Sequence, residues 1–225
     1  MKAYTYLLIN AACIAVPLAA SFYRRHAFAR QWRAFVSAAV CIGIPFILWD
    51  AYFTAKGIWG FNPSYLIGWE WLGLPIEEWL FFLCIPYACI FTYYALEYFL
   101  GTDSSATLPP RLGYLLTLAL LLIAIGFWDR SYTATTALLA ALFLAAATYW
   151  QWHLARISLS YLLIFPFFLL SNGVLTGSFI ESPIVWYSPA ENLGIRLFTI
   201  PVEDVVYGYL LIALNGLLFQ KFRSQ

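Results

Sequence analysis

The chain has 225 residues, of which 63% are hydrophobic, 20% are aromatic and only 10% are charged. A soluble domain normally carries about 25% charged residues, so this composition excludes a soluble globular protein and indicates an integral membrane protein surrounded by lipid. The formal net charge of +1 gives no reason to expect a nucleic-acid partner.

Seven apolar stretches follow one another along the chain, each long enough for a transmembrane helix and too long for a barrel strand. They predict an all-α, polytopic membrane protein with about seven transmembrane helices, at residues 4–23, 35–54, 75–99, 112–128, 133–152, 158–180 and 201–219. Long connections precede the third and the seventh helix, and a polar turn at residues 101–110 precedes the fourth.

The Lys and Arg residues are divided unevenly between the two ends of these helices. Eight of them fall on the side of the first loop, and four fall on the side of the N-terminus. The positive-inside rule therefore predicts a multi-pass protein of the cell membrane, with its N-terminus outside and its C-terminus in the cytoplasm.

Three short sequence patterns occur twice in the chain. The matching segments are Ile44–Asp50 with Phe165–Ser171, Gly60–Pro63 with Trp186–Pro189, and Pro75–Glu78 with Pro201–Asp204. We interpret residues 1–100 as a first three-helix repeat, residues 101–132 as a connector with the fourth helix, and residues 133–225 as a second three-helix repeat. Since four helices separate equivalent positions, the repeats run parallel, and sites in such proteins form at the repeat interface.

Adjacent acidic residues stand at the start of two of these helices, at Glu77 and Glu78 and again at Glu203 and Asp204. Proline and acidic residues are common in the first turn of a helix, so a purely structural role is one interpretation. Carboxylates beside hydrocarbon are unfavourable without a partner or a function, and their duplication favours a functional site. Because neighbouring helical residues point about 100° apart, we predict that Glu77 and Glu203 are the pair that faces the repeat interface.

Several chemistries are excluded because their motifs are missing. The chain has no glycine-rich dinucleotide fingerprint, no P-loop and no acidic cluster for a magnesium diphosphate. Two histidines are too few for a histidine-rich di-iron site, and the seventh helix lacks the mid-span lysine of a retinal protein. We therefore expect no cofactor and no metal ion.

The segments around these acids resemble the small integral-membrane lycopene cyclases, in the form in which two short subunits are fused into one chain. The resemblance rests on Trp49–Asp50, Gly57–Pro63, Pro75–Phe82 and Pro201–Gly208, and it covers nearly the whole chain. It implies that the ψ-ends of lycopene, or of a related polyene, are cyclised to β-ionone rings, through γ-carotene to β-carotene. It also implies that no flavin and no net redox change are needed, and that other enzymes of carotenoid synthesis are partners.

A cyclisation that starts with protonation and ends with deprotonation lets us infer roles for particular side chains. Glu77 and Glu203 would be the acid and base pair, in an order left open, while Glu78 and Asp204 would tune or position them and Asp50 would assist. Some of the aromatic residues are expected simply because Trp and Tyr are enriched where membrane helices meet water. The others would bind the polyene and stabilise a cation with the faces of their rings. The residues predicted for substrate binding are Trp49, Trp59, Phe61, Trp79, Phe81, Phe82 and Tyr207.

Two alternatives remain open at this point. Relatives within the same family cyclise longer C50 carotenoids, and the residues here do not separate the two substrates. A carotenoid or lipid carrier without enzymatic activity is the alternative from another class, because parallel repeats with polar groups between them also suit carriers.

Overall fold

The computed structural model describes residues 2–101 and 107–223, so residues 102–106 of the predicted polar turn lie outside the described residues. Within these ranges the chain forms seven α-helices. They are α1 (Thr5–Ala20), α2 (Trp32–Ala55), α3 (Ile76–Leu100), α4 (Pro110–Gly126), α5 (Ser131–Tyr149), α6 (Ala155–Leu175) and α7 (Val202–Arg223).

The helix lengths confirm the predicted all-α membrane fold. Six helices are long and apolar enough to cross a membrane, and α4 is a shorter apolar helix of 17 residues. The largest difference from the predicted bounds is at the end of α6, which stops at Leu175 rather than near Ile180. The apolar run continues beyond that point, but Gly177 adopts a φ of 113°, a backbone conformation that ends the helix.

Both long connections fold back as short strands. The strands are β1 (Trp59–Phe61), β2 (Glu70–Trp71), β3 (Leu74–Pro75), β4 (Val185–Tyr187), β5 (Arg196–Leu197) and β6 (Ile200–Pro201). The strands β2 and β3 form one small hairpin before α3, and β5 and β6 form the equivalent hairpin before α7. The strands β1 and β4 pair antiparallel with each other, with Gly60 opposite Trp186.

The pairing of β1 with β4 joins the two repeats. Because the two connections are hydrogen-bonded to each other, they lie on one face of the helix bundle, which we call the loop face. The helices α3 and α7 both begin at the loop face and therefore run in the same direction, as predicted for parallel repeats.

Aromatic rings fill the core at the other end of the bundle. Phe28 precedes α2 and is fully buried, and its ring centroid lies 6.1 Å from Phe35, 5.4 Å from Tyr87 and 5.8 Å from Phe219. These residues come from the first loop, α2, α3 and α7. Because lipid is as apolar as these side chains, close van der Waals packing rather than the hydrophobic effect holds the helices together here.

Two helix-interior glycines provide a test of this packing. At Gly216 of α7, an added Cβ would lie 2.9 Å from Cδ1 and 3.1 Å from Cγ1 of Ile157, whereas at Gly43 of α2 it would meet nothing within 4 Å. Gly43→Ala should raise stability by about 0.5–1 kcal/mol through helix propensity. Gly216→Ala should forfeit that gain and lose about 1–3 kcal/mol through overpacking. Thermal unfolding in detergent micelles measures both, and equal gains for the two variants would contradict the close α6–α7 approach.

Candidate active site

A large cavity lies inside the bundle beneath the loop face. Its volume is about 890 Å³, and residues of α1, α2, α3, α5, α6 and α7 line it together with β1 and β4. Most of the lining side chains are apolar, and the carboxyl groups that reach it are those of Asp50, Glu78 and Asp204. The volume is at the upper end of the about 300–1,000 Å³ that is typical of ligand sites, which are mostly apolar with a few convergent polar groups.

One acid centre of this cavity is Asp204, which is buried in the first turn of α7. The hydroxyl of Tyr132 donates to its Oδ1 at 2.6 Å, and the amide of Asn172 and the hydroxyl of Tyr187 both donate to its Oδ2 at 2.9 Å. These donors come from α5, α6 and β4. Both carboxylate oxygens have donors, so Asp204 has the partners that a buried charge requires.

The other acid centre is a pair of carboxyl groups, Asp50 on α2 and Glu78 on α3, which lie next to each other and interact electrostatically. Tyr6 donates from its hydroxyl to Glu78 Oε2, and Trp59 donates from Nε1 to Asp50 Oδ1. The second oxygen of Asp50 is buried and has no donor among residues 2–101 and 107–223. Two carboxyl groups this close disfavour double ionisation, so the geometry favours one proton held between them.

The two acid centres are related by the repeat but are not equivalent. In each, a tyrosine hydroxyl binds a carboxyl group that follows it by 72 residues along the chain. The neighbouring group differs, because Asp50 faces Glu78 whereas the amide of Asn172 faces Asp204. One half therefore carries a carboxyl pair and the other half a single carboxylate.

The first acidic residue of each motif has a different environment. Glu77 Oε1 accepts a hydrogen bond from the backbone N–H of Ile67 at 2.7 Å, and Glu203 Oε1 accepts one from that of Leu193 at 2.8 Å. Thr133 also donates to Glu203 Oε1, at 2.6 Å. Each of these carboxyl groups thus ties the connection before its helix back onto that helix.

Of the five acidic residues predicted for catalysis, the structure brings Asp50, Glu78 and Asp204 to the cavity, and Glu77 and Glu203 do not line it. The acid–base role of Glu77 and Glu203 stays a prediction. Their position follows from helix geometry, because a carboxyl group that binds the connection on one side of the helix leaves its neighbour pointing about 100° away.

Four of the seven aromatic residues predicted for substrate binding line the cavity, namely Trp59, Phe61, Phe81 and Tyr207. Tyr207 lies one turn after Asp204 on α7, and its ring is in contact with Trp59, with centroids 6.4 Å apart. These rings therefore surround the acid centres on the side of α3, α7 and β1.

The other three aromatic residues lie outside the cavity lining. Trp49 packs behind Tyr207, with ring centroids 4.8 Å apart. Trp79 stacks on Trp71 at the loop face, with centroids 4.3 Å apart, and donates its Nε1 to the backbone oxygen of Trp71 at 3.1 Å. Phe82 is buried in the helix core. Trp49, Trp79 and Phe82 thus support the site or the loop face without touching the cavity.

The comparison with protein families gives the context for this site. The family model described as Lycopene cyclase matches residues 3–96 and 129–222, which together make up most of the chain. The chain belongs to the lycopene cyclase family. Searches of curated proteins and of solved structures gave no match. Membership in the family supports carotenoid cyclisation in general, and the two matched segments contain the two halves that supply the acid centres.

The sequence analysis missed four polar residues of this cyclase site, which are Tyr6, Tyr132, Tyr187 and Asn172. The repeat offered a signal for two of them. Tyr6 and Tyr132 are as far apart as Glu78 and Asp204, so extending the acidic repeat back to the first helix of each half would have paired these tyrosines. Tyr187 and Asn172 belong to the second half alone, and the repeat gave no signal for them.

The environment of Tyr187 changes the pKa of its phenol, and this change can be tested. It lies on β4, outside the membrane-spanning helices, and its burial together with the nearby negative charge of Asp204 raises the pKa of Tyr187 well above its usual range. A raised pKa in the folded state stabilises the fold while the phenol is neutral.

This shift predicts a pH-dependent loss of stability. The contribution of Tyr187 is fully present below the unfolded pKa of about 10 and is lost as the pH rises from there toward the higher folded pKa. Wild-type protein should therefore lose thermal stability more steeply above pH ~10 than Tyr187→Phe does. Thermal unfolding of both proteins across this range measures the effect, and parallel curves would contradict it.

Proposed function

We propose that this cyclase converts the ψ-ends of lycopene to β-ionone rings, giving γ-carotene and then β-carotene with no net oxidation or reduction. The observation that carries the proposal is the presence of two unlike acid centres, Asp50 with Glu78 and Asp204, on one apolar cavity. Such a cavity admits a hydrocarbon, and proton transfer is the chemistry that carboxyl groups offer to an alkene.

The Asp50–Glu78 pair supplies the proton. A neutral carboxyl group transfers its proton to C2 of the terminal C1=C2 double bond, which leaves a tertiary cation at C1. The pair is suited to this step because two neighbouring carboxyl groups disfavour double ionisation, and because Tyr6 and Trp59 hold the two groups in place. After transfer, both carboxyl groups are ionised and close to the cation, which compensates part of their mutual repulsion.

Ring closure and proton loss complete the reaction. The C5=C6 double bond attacks C1, so that the C1–C6 bond forms and the positive charge moves to C5. Asp204 then removes the proton from C6, and the C5=C6 double bond of the β-ring is restored. Its three donors favour a carboxylate that is already charged and stationary, and the ring faces of Trp59 and Tyr207 shield the cation meanwhile.

Between turnovers Asp204 releases its proton to solvent and the carboxyl pair takes one up from solvent, so the sum of the reaction is an isomerisation. This account gives Glu77 and Glu203 a structural role, in place of the acid–base role that the sequence analysis predicted for them. Their hydrogen bonds to Ile67 and Leu193 support that assignment. We retain the cell membrane as the location, with the loop face outside.

Substitution of single acidic residues distinguishes the roles proposed here from the acid–base role that the sequence predicted for Glu77 and Glu203. Asp50→Asn, Glu78→Gln and Asp204→Asn should each reduce ring formation about 10²-fold or more, the range expected for loss of a general acid or base. Glu77→Gln and Glu203→Gln keep an oxygen for the backbone N–H groups and should retain most of the activity. Chromatography of carotenoids from lycopene-producing cells measures the products, with immunoblots to normalise for protein amount.

The opposite pattern, with activity lost only in the Glu77 and Glu203 variants, would restore the acid–base pair that the sequence predicted. Unchanged lycopene in cells that contain wild-type protein would instead favour a carrier. Conversion of a C50 substrate in preference to lycopene would favour the longer carotenoids.

Solvent deuterium tests the order of proton transfer. When liposomes that contain the protein and lycopene are placed in D₂O, each new ring should carry one deuterium at C2, because the incoming proton comes from an exchangeable carboxyl group. Mass spectrometry and NMR of the product locate the label. Rings without deuterium would contradict protonation by the acid centre, and a carrier would yield unlabelled lycopene.

A further inference from the structure

The cavity is elongated, and its carboxyl groups are at one end. Along α3 its lining residues run from Glu78 to Thr92, which corresponds to about 21 Å at 1.5 Å per residue. Along α6, which runs in the opposite direction, they run from Leu175 back to Tyr161, or about 21 Å. The end beneath the loop face holds the acid centres, and the rest of the length is an apolar slot.

The slot opens sideways toward lipid between α1 and α6. Several residues on these two helices line the cavity and are also exposed on the outer surface of the bundle. Val16 on α1 is 74% exposed, and Phe167 and Leu170 on α6 are 70% and 61% exposed. A side chain that both lines a cavity and faces outward marks the cavity's opening, and this opening lies within the span of two membrane helices.

The equivalent seam in the other half, between α2 and α5, is filled at its loop-face end. Phe53 of α2 packs against Trp59 with ring centroids 4.9 Å apart, and Trp59 packs against Tyr132 of α5 at 5.0 Å. Trp49 adds a fourth ring, 5.7 Å from Phe53. The repeat therefore builds two similar seams, of which aromatic packing fills one and the cavity occupies the other.

We propose that the α1–α6 seam is the binding site for the polyene tail and the lateral entrance for the substrate. This inference rests on the proposed function. One ψ-end reaches the acid centres while the conjugated chain lies along the slot and leaves between α1 and α6 into the bilayer. A slot that is shorter than an extended C40 chain, with acids at one end, processes the two ends of lycopene one after the other.

A single hydroxyl-to-thiol substitution can close this seam. Cys13 on α1 and Ser171 on α6 are neighbours across this seam, and both residues line the slot. Ser171→Cys would place a second thiol opposite Cys13, and an oxidant such as copper phenanthroline would then link the two helices across the path of the polyene.

The experiment compares oxidised with reduced Ser171→Cys in liposomes that contain lycopene. Ring formation should be lost when peptide mass spectrometry shows the link between positions 13 and 171, and it should return after reduction. Wild-type protein given the same oxidant reports any effect of the other cysteines. Undiminished ring formation by the linked protein would overturn the proposal.

Two matched substitutions on α1, each to tryptophan, test the proposed entrance without a disulfide. Val16→Trp adds bulk at the opening, whereas Leu8→Trp adds it at a residue that is 62% exposed on the same helix and does not line the cavity. At limiting lycopene, the initial rate should fall for Val16→Trp and stay near wild type for Leu8→Trp. Equal rates for the two variants would overturn the proposal that substrate enters between α1 and α6. If wild-type protein forms no rings at all, the proposed function itself fails, and the two failures are distinguishable.

Discussion

The structure depends on the burial of carboxyl groups against hydrocarbon, because each buried acid needs donors or a shared proton. Five acidic residues at the loop face are buried, and the fold supplies their partners from distant parts of the chain. Backbone N–H groups of the folded-back connections serve Glu77 and Glu203, whereas tyrosine hydroxyls of α1 and α5 serve Glu78 and Asp204. This need for donors to the buried acids accounts for several parts of the fold. They are the hairpins, the β1–β4 pairing and the first helix of each repeat.

Duplication explains how one cavity obtains two acid centres, and divergence explains how they differ. Both halves deliver a carboxyl group and a tyrosine at matching positions. In the first centre the carboxyl group of Asp50 lies beside Glu78, which favours a retained proton, whereas in the second centre the amide of Asn172 donates to Asp204, which favours a charge. A cyclisation that begins with protonation and ends with deprotonation requires this kind of difference, since two identical centres would compete for the same role.

The same divergence distinguishes the outer walls of the site. Aromatic packing fills the seam between α2 and α5 at its loop-face end, while the seam between α1 and α6 remains part of the cavity. A hydrocarbon substrate dissolved in the bilayer would reach the acids most directly from the side, without passing through water. Acid centres beneath the loop face and an entrance between α1 and α6 are therefore both suited to an apolar substrate.

The sequence by itself determined the membrane environment, the all-α class, the two parallel repeats and the two acidic motifs, because these depend on hydropathy, length and local spacing. It did not determine which acid of each motif faces the cavity. Adjacent helical residues differ by about 100°, so a modest rotation of α3 or α7 exchanges Glu77 with Glu78 or Glu203 with Asp204. Only the tertiary structure decided this rotation, through the backbone N–H groups that bind one acid and the tyrosines, 72 residues away, that bind the other.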